Sequence, residues 1–116
     1  MKYIFLRYEK EASRQAWTPE DFQKEMSDYK VFGAELQSRN LMIGGEALHD
    51  TNTATTARFR ERKTLTTDGL FAETHEQLGG FYIVDGKDLD EASELAAKIP
   101  GAAEGCVEIR PLVVFE

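Results

Sequence analysis

Between Asp68 and Phe81 the chain reads Asp-Gly-Leu-Phe-Ala-Glu-Thr-His-Glu-Gln-Leu-Gly-Gly-Phe. Proton-moving and hydrogen-bonding side chains crowd this loop, and two residues without side chains follow them. Asp68 is a candidate general base: a carboxylate at a cleft mouth gains basicity when partly desolvated. The competing reading is a turn aspartate bonded to its own backbone ahead of Gly69. Glu73 and Gln77, four apart, would share one side of a helical turn and hold the polar groups of a ligand. Equally, Glu73, Glu76 and Gln77 would be the solvated side chains of a short turn. His75 stands between Glu73 and Glu76 and titrates near neutrality if exposed, which makes it a second catalytic candidate.

A second set comes from strand alternation. Arg7, Glu46, Glu108 and Arg110 fall on what reads as one sheet face, among Tyr3, Phe5 and Met42. Buried charges must pair or bind something. These four therefore form either an interfacial ion-pair network or a site for a small anionic or polar molecule, which the planar arginine fork would grip.

Other chemistries find no pattern. His49 and His75 lack the spacing of a metal motif, and the single Cys106 excludes a cysteine-based zinc site and an internal disulfide. Neither a metal nor another cofactor is expected. Cys106 opens an apolar strand and reads as a buried, inert thiol. Gly44-Gly45 and Gly79-Gly80 do not open helices, so they are not phosphate loops; within strands they mark bulges or close approach. Ser13, Ser27, Ser38 and Ser93 have no base in reach by pattern.

The elements that position these residues follow from periodicity. Residues 2–8 alternate as a strand. Thr18-Pro19-Glu20-Asp21 caps a helix whose face is Phe22, Met26, Tyr29, Phe32 and Leu36, ending near Asn40. Gly33 within it would mark close packing on a sheet. Leu41–Leu48 is a second strand. Thr53–Arg60 and Lys63–Thr67 form a polar hairpin turning at Glu61-Arg62. Gly80–Asp85 is the next strand. Asp88-Leu89-Asp90-Glu91 opens a second helix as a capping box, with Leu89, Ala92, Leu95, Ala96 and Ile99 inward and a stop at Pro100-Gly101. Cys106–Phe115 is the last strand.

The order β-α-β, hairpin, β-α-β predicts an α+β fold. It is the split βαβ of ferredoxin-like domains: an antiparallel sheet, an extra hairpin and both helices on one face. First and last strands should lie side by side at the centre. Ile4, Leu6, Ile43, Val107 and Ile109 should face the helices. The opposite face, with Tyr3, Phe5, Arg7, Met42, Glu46, Glu108, Arg110 and Leu112, would be too apolar for a soluble monomer. A homodimer through the two open sheet faces is therefore expected.

At 116 residues the chain suits one domain, 1–116, able to bury a core without staples. Its formal charge of −7 argues against nucleic acid, and the cluster Arg58, Arg60, Arg62, Lys63 reads as a solvated hairpin tip. The start, broken by Arg7, does not resemble a signal peptide, and no apolar run approaches a membrane span, so a cytoplasmic location is expected.

These residues resemble the YCII-related superfamily, specifically its DGPF-domain branch. The resemblance is carried by Met1-Lys2-Tyr3, Gly44-Gly45-Glu46-Ala47-Leu48, Thr53-Ala54-Thr55-Thr56 and Thr67 through Thr74. It continues in Glu76 through Tyr82, Asp88 through Ala92, Pro100-Gly101-Ala102 and Val107 through Pro111, so it covers essentially the whole chain. Leu70 replaces the motif's proline, and His75 stands where lysine is commoner. The resemblance implies a dimeric α/β-barrel form of the ferredoxin-like fold. It leaves two functional expectations. One is an enzyme without cofactor, abstracting a proton, eliminating or isomerising a small molecule in a dimer cleft. The other is a non-catalytic regulatory module linked to a sigma factor of the extracytoplasmic type. A distant branch removes chloride from a chlorinated hydroxyquinone with a His–Asp pair, but no histidine lies in the first helix or its approach here.

Overall fold

The computed structural model describes residues 1–115. Six strands and two α-helices follow in the order β1 (Lys2–Glu9), α1 (Pro19–Ser38), β2 (Met42–Ala47), β3 (Thr55–Arg60), β4 (Lys63–Asp68), β5 (Gln77–Asp85), α2 (Leu89–Ala97) and β6 (Cys106–Pro111). Short 3-10 turns lie at Glu11–Ala16, Thr51–Thr53 and Pro100–Ala103. Local chemistry sets several boundaries. Thr18 and Asp21 exchange side-chain and backbone hydrogen bonds at 3.2 and 2.9 Å, closing the capping box of α1. Asn40, at φ 57°, takes the left-handed conformation just past the helix. At α2, Asp88 accepts from the Glu91 N–H, whereas the Glu91 carboxylate reaches Lys87 N–H, so the box expected there is not reciprocal.

A four-stranded antiparallel sheet has the order β2-β5-β1-β6, and β3-β4 form a separate two-stranded sheet. The central pair is thus β1 and β5; β6 adjoins β1 as expected but forms an edge. Helices α1 and α2 cover one face through Phe32, Leu36, Ala92, Leu95 and Ala96, packed on Tyr3, Phe5 and Val84.

The face of β1 is the reverse of that expected. Tyr3, Phe5 and Arg7 lie beneath the helices at 5%, 0% and 7% exposure, so Ile4 and Leu6 face the open side. Apolar residues occupy both faces of β1, so alternation could not choose between them. Burying two aromatic rings removes more area from water than burying two aliphatic chains. Register carries the assignment across the sheet. Phe5 pairs with Ile109 and Tyr82, Arg7 with Val107 and Gly80. Val107 and Ile109 therefore face the helices as expected. The open face carries Ile4, Leu6, Phe81 and Ile83 with Glu46, Glu108 and Arg110.

Two bulges account for further inversions. On β2 the register slips between Met42 and Gly44, which turns Met42 to the helix side, while Ile43 lies exposed. On β5, Gly79 has no partner on β1, because Arg7 pairs with Gly80 and Tyr8 with Leu78.

Other apolar residues fall outside the core. Phe22 and Met26 of α1 and Leu89 of α2 are exposed, so only the later part of the α1 stripe packs on the sheet. A side chain at Gly33 would meet nothing within 4 Å, so close packing does not explain it. Cys106 is exposed rather than buried. No helix among the described residues is long and apolar enough to cross a membrane.

Candidate functional site

Burying Arg7 beneath α1 forces its guanidinium to find partners. Its Nη2 donates to the Gly79 carbonyl at 2.7 Å. Its Nη1 lies 2.9 Å from Glu9 Oε2 as an ion pair, yet has no aligned hydrogen-bond acceptor. The guanidinium carbon sits 5.5 Å from the centre of the Tyr29 ring. Glu9, two positions along β1, is shared: its Oε2 also accepts from Arg14 Nη2. The same Arg14 nitrogen donates to Glu25 Oε1 at 2.9 Å, and the Arg14 guanidinium stacks 5.0 Å over Trp17. Arg7, Glu9, Arg14 and Glu25 thus alternate in sign across β1, the turn Glu11–Ala16 and α1.

Gly79 and Gly80 are where this network meets β5. A Cβ on Gly79 would overlap the Glu9 carboxylate and lie 3.0 Å from both Arg7 terminal nitrogens. One on Gly80 would lie 2.9 Å from the Glu46 carbonyl oxygen. The double glycine therefore serves both roles read from sequence, a bulge and a close approach, and what approaches is the partly buried Arg7–Glu9 ion pair.

Titration follows the same geometry. Burial pushes the Tyr29 phenol up to about 12; nearby Arg7 pulls it down and Glu25 raises it. Its oxygen accepts from the Gly101 N–H at 3.2 Å. Burial also raises Tyr82, opposed by Arg7. Burial lowers the Arg14 guanidinium, but Glu9 and Glu25 more than offset this and leave it above its ordinary value. The exposed Cys106 thiol is raised by its slight burial and then by Glu76 and Glu108.

A cleft of about 710 Å³ opens over the network, lined among others by Glu9, Arg14, Trp17, Glu25, Asp28 and Gly101. Its whole lining holds five acids against three bases, so it favours polar or cationic groups over anions. A second cleft, about 740 Å³, lies across the turn Glu11–Ala16, with Glu11, Arg14, Thr51, Leu70, Glu73 and Gln77 among its lining. There Gln77 is committed to the fold: its oxygen accepts from the Glu11 N–H at 3.0 Å, and its nitrogen donates to the Thr74 carbonyl at 2.8 Å. Glu11 in turn holds Thr51 through its hydroxyl and amide at 2.6 and 2.8 Å. No group of three or more metal-ligating side chains gathers among the described residues.

The candidates read from sequence are dispersed. Glu73 and Gln77 meet at the second cleft. Asp68 is exposed at the end of β4, and His75 is exposed in the loop; neither lines either cleft. Glu46, Glu108 and Arg110 are exposed on the open face, so the expected constellation with Arg7 does not exist: Arg7 is on the other side of the sheet. No motif marks Glu9, Arg14, Trp17 or Glu25 as site residues, and Tyr29 reads only as part of the apolar stripe of α1. The available signal was Arg7 and Glu9 at strand spacing, two opposite charges on one face.

Strand order and helix placement define a ferredoxin-like α+β protein. The profile of the YCII-related domain matches residues 1–116, and the chain belongs to that family. It is also 34% identical over 118 residues to an uncharacterized protein of Rhizobium meliloti (strain 1021), covering 100% of this chain and 95% of that protein.

Proposed function

We propose that this YCII-related protein, of the DGPF-like branch, acts as a homodimer and binds a small polar molecule in the cleft above Glu9, Arg14 and Glu25. The observation that carries the reading is the partly buried ion-pair network that lines that cleft. Ion pairs held partly out of water are a poor source of stability, so three alternating charges on the cleft wall, Glu9, Arg14 and Glu25, with the buried Arg7 behind Glu9, are better suited to recognition. Trp17 adds a flat apolar wall. Half-buried Ile4, Leu6, Phe81 and Ile83 support pairing of the open sheet faces between two copies.

In the catalytic form of this reading, carboxylates in the cleft accept a proton without a cofactor, and the Tyr29 phenol, protonated at neutral pH, supports the floor from behind Gly101. Asp68 and His75 would contribute only from a second chain. In the non-catalytic form the cleft retains its ligand and the exposed apolar surface receives a regulatory protein such as a sigma factor.

The test is a thermal-shift screen of small amines, phenols and hydroxy acids on the wild type, Glu9→Gln and Arg14→Ala. A ligand at about a hundred times its dissociation constant stabilises the wild type by about 2.7 kcal/mol. The shift should vanish in both variants while their far-UV spectra stay native. Equal shifts in all three proteins would place the ligand elsewhere. Incubation of any hit, followed by mass spectrometry, separates turnover from retention.

A further inference from the structure

The hairpin β3–β4 is the part of the fold its own chain leaves uncovered. Eleven of its twelve residues are exposed, including Phe59 at 65%. Its base is closed across its own two strands, by Gly69 N–H to the Ala54 carbonyl at 2.7 Å and Thr56 Oγ1 to the Gly69 carbonyl at 2.8 Å; neither bond reaches the four-stranded sheet or the helices. The radius of gyration is 16.3 Å, where a compact chain of this length would have about 13 Å. An isolated two-stranded hairpin is marginal in water, so six regular pairs imply a surface for it to lie on.

Charge indicates which surface. Register puts Arg58, Arg60 and Lys63 on one face with Leu65, and Ala57, Phe59, Thr64 and Thr66 on the other. The hairpin carries four bases and two acids, while the rest of the chain carries ten bases and nineteen acids. The acid-rich cleft over Glu9 and Arg14, with Asp28 and Glu104 in its lining, has no hairpin residue of its own chain against it. A strand pair of this length reaches about 20 Å.

We propose that the hairpin is an arm received by a second copy of this chain, its basic face seated on the acidic rim of that copy's cleft at Asp28 and Glu104. This rests on the homodimer proposed above. In a two-fold dimer the exchange is reciprocal, so each cleft is closed by the partner's arm and is incomplete in a monomer.

Sedimentation equilibrium tests it on the wild type, on the triple variant Arg58→Glu, Arg60→Glu, Lys63→Glu, and on that variant with Asp28→Lys and Glu104→Lys added. The wild type should be dimeric. The triple variant should raise the dissociation constant about tenfold or more, since several rim charges are reversed at once. Its urea unfolding should show the body intact, and the added lysines should restore association. An unchanged dissociation constant in the triple variant overturns the arm while leaving the dimer standing. A loss that the lysines do not restore overturns this cleft as the arm's seat. A monomeric wild type removes the dimer itself, and the arm with it.

Discussion

Arg7 is buried where β1, β5 and α1 meet, while Arg58, Arg60 and Lys63 stand on a hairpin whose residues are almost all exposed. Both regions set cations against an acidic protein, but their energetics are opposite. Around Arg7 each polar group has a near-fixed neighbour, and two glycines keep the space clear. Changes there must be felt within one chain. Along the hairpin the backbone is regular yet nearly uncovered, so changes there should register in association and hardly at all in the body. Burial, rather than charge, decides which regime a cation belongs to.

The strongest way to break this contrast is Arg7→Ala. It removes the donor to the Gly79 carbonyl and leaves Glu9 with Arg14 alone. Breaking a buried pair usually costs about 3–5 kcal/mol; the remaining Arg14 partner puts the expected loss near the low end, about 3 kcal/mol. Arg60→Ala on the arm should cost the body less than about 0.5 kcal/mol. Urea unfolding of both variants decides, and equal losses would erase the distinction.

Glycine substitutions sharpen the same point with smaller effects. Gly80→Ala places a methyl 2.9 Å from the Glu46 carbonyl oxygen, so backbone must shift. The expected cost is about 1–3 kcal/mol. Gly33→Ala, in α1 with nothing within 4 Å of the new methyl, should instead stabilise by about 0.5–1 kcal/mol. Opposite signs in thermal or urea unfolding separate a glycine required by contact from one that is not.

The contrast also explains what was legible in the sequence. Thr18 with Asp21, Asn40 and the Glu61-Arg62 turn, whose residues sit at φ 50° and 64°, are local devices, and each was readable from a few neighbours. The adjacency of β1 and β6 followed from element order, but the central pairing of β1 with β5, which leaves β6 at an edge, did not. The face of β1 did not, because both of its faces are apolar and the decision belongs to helices many residues away. Bulges at Ile43 and Gly79 shift side-chain parity by one without altering composition. The glycine pair announced a close approach, but its partner, the Glu9 carboxylate held by Arg7 and by Arg14, which Glu25 of α1 holds in turn, is a non-local meeting. Exposed Asp68 and His75 attracted attention through density of chemistry in one segment, which carries no information about burial.

The remaining predicted effect concerns Tyr29, whose phenol is half-buried between Arg7 and Gly101. Its folded value of about 12 lies above the ordinary 10, so the folded state holds the proton more tightly than the unfolded chain. The stabilisation is therefore complete below pH 10 and is lost as pH rises toward about 12. Tyr29→Phe removes the titrating group and the acceptor for the Gly101 N–H, so at neutral pH it should be less stable by about 1 kcal/mol. That deficit should shrink between pH 10 and pH 12, because only the wild type carries a titrating proton at position 29. Paired denaturation curves across the interval read the difference directly. A deficit independent of pH would mean that the phenol titrates no differently in the folded and unfolded protein, and that the space beside Arg7 is open to water.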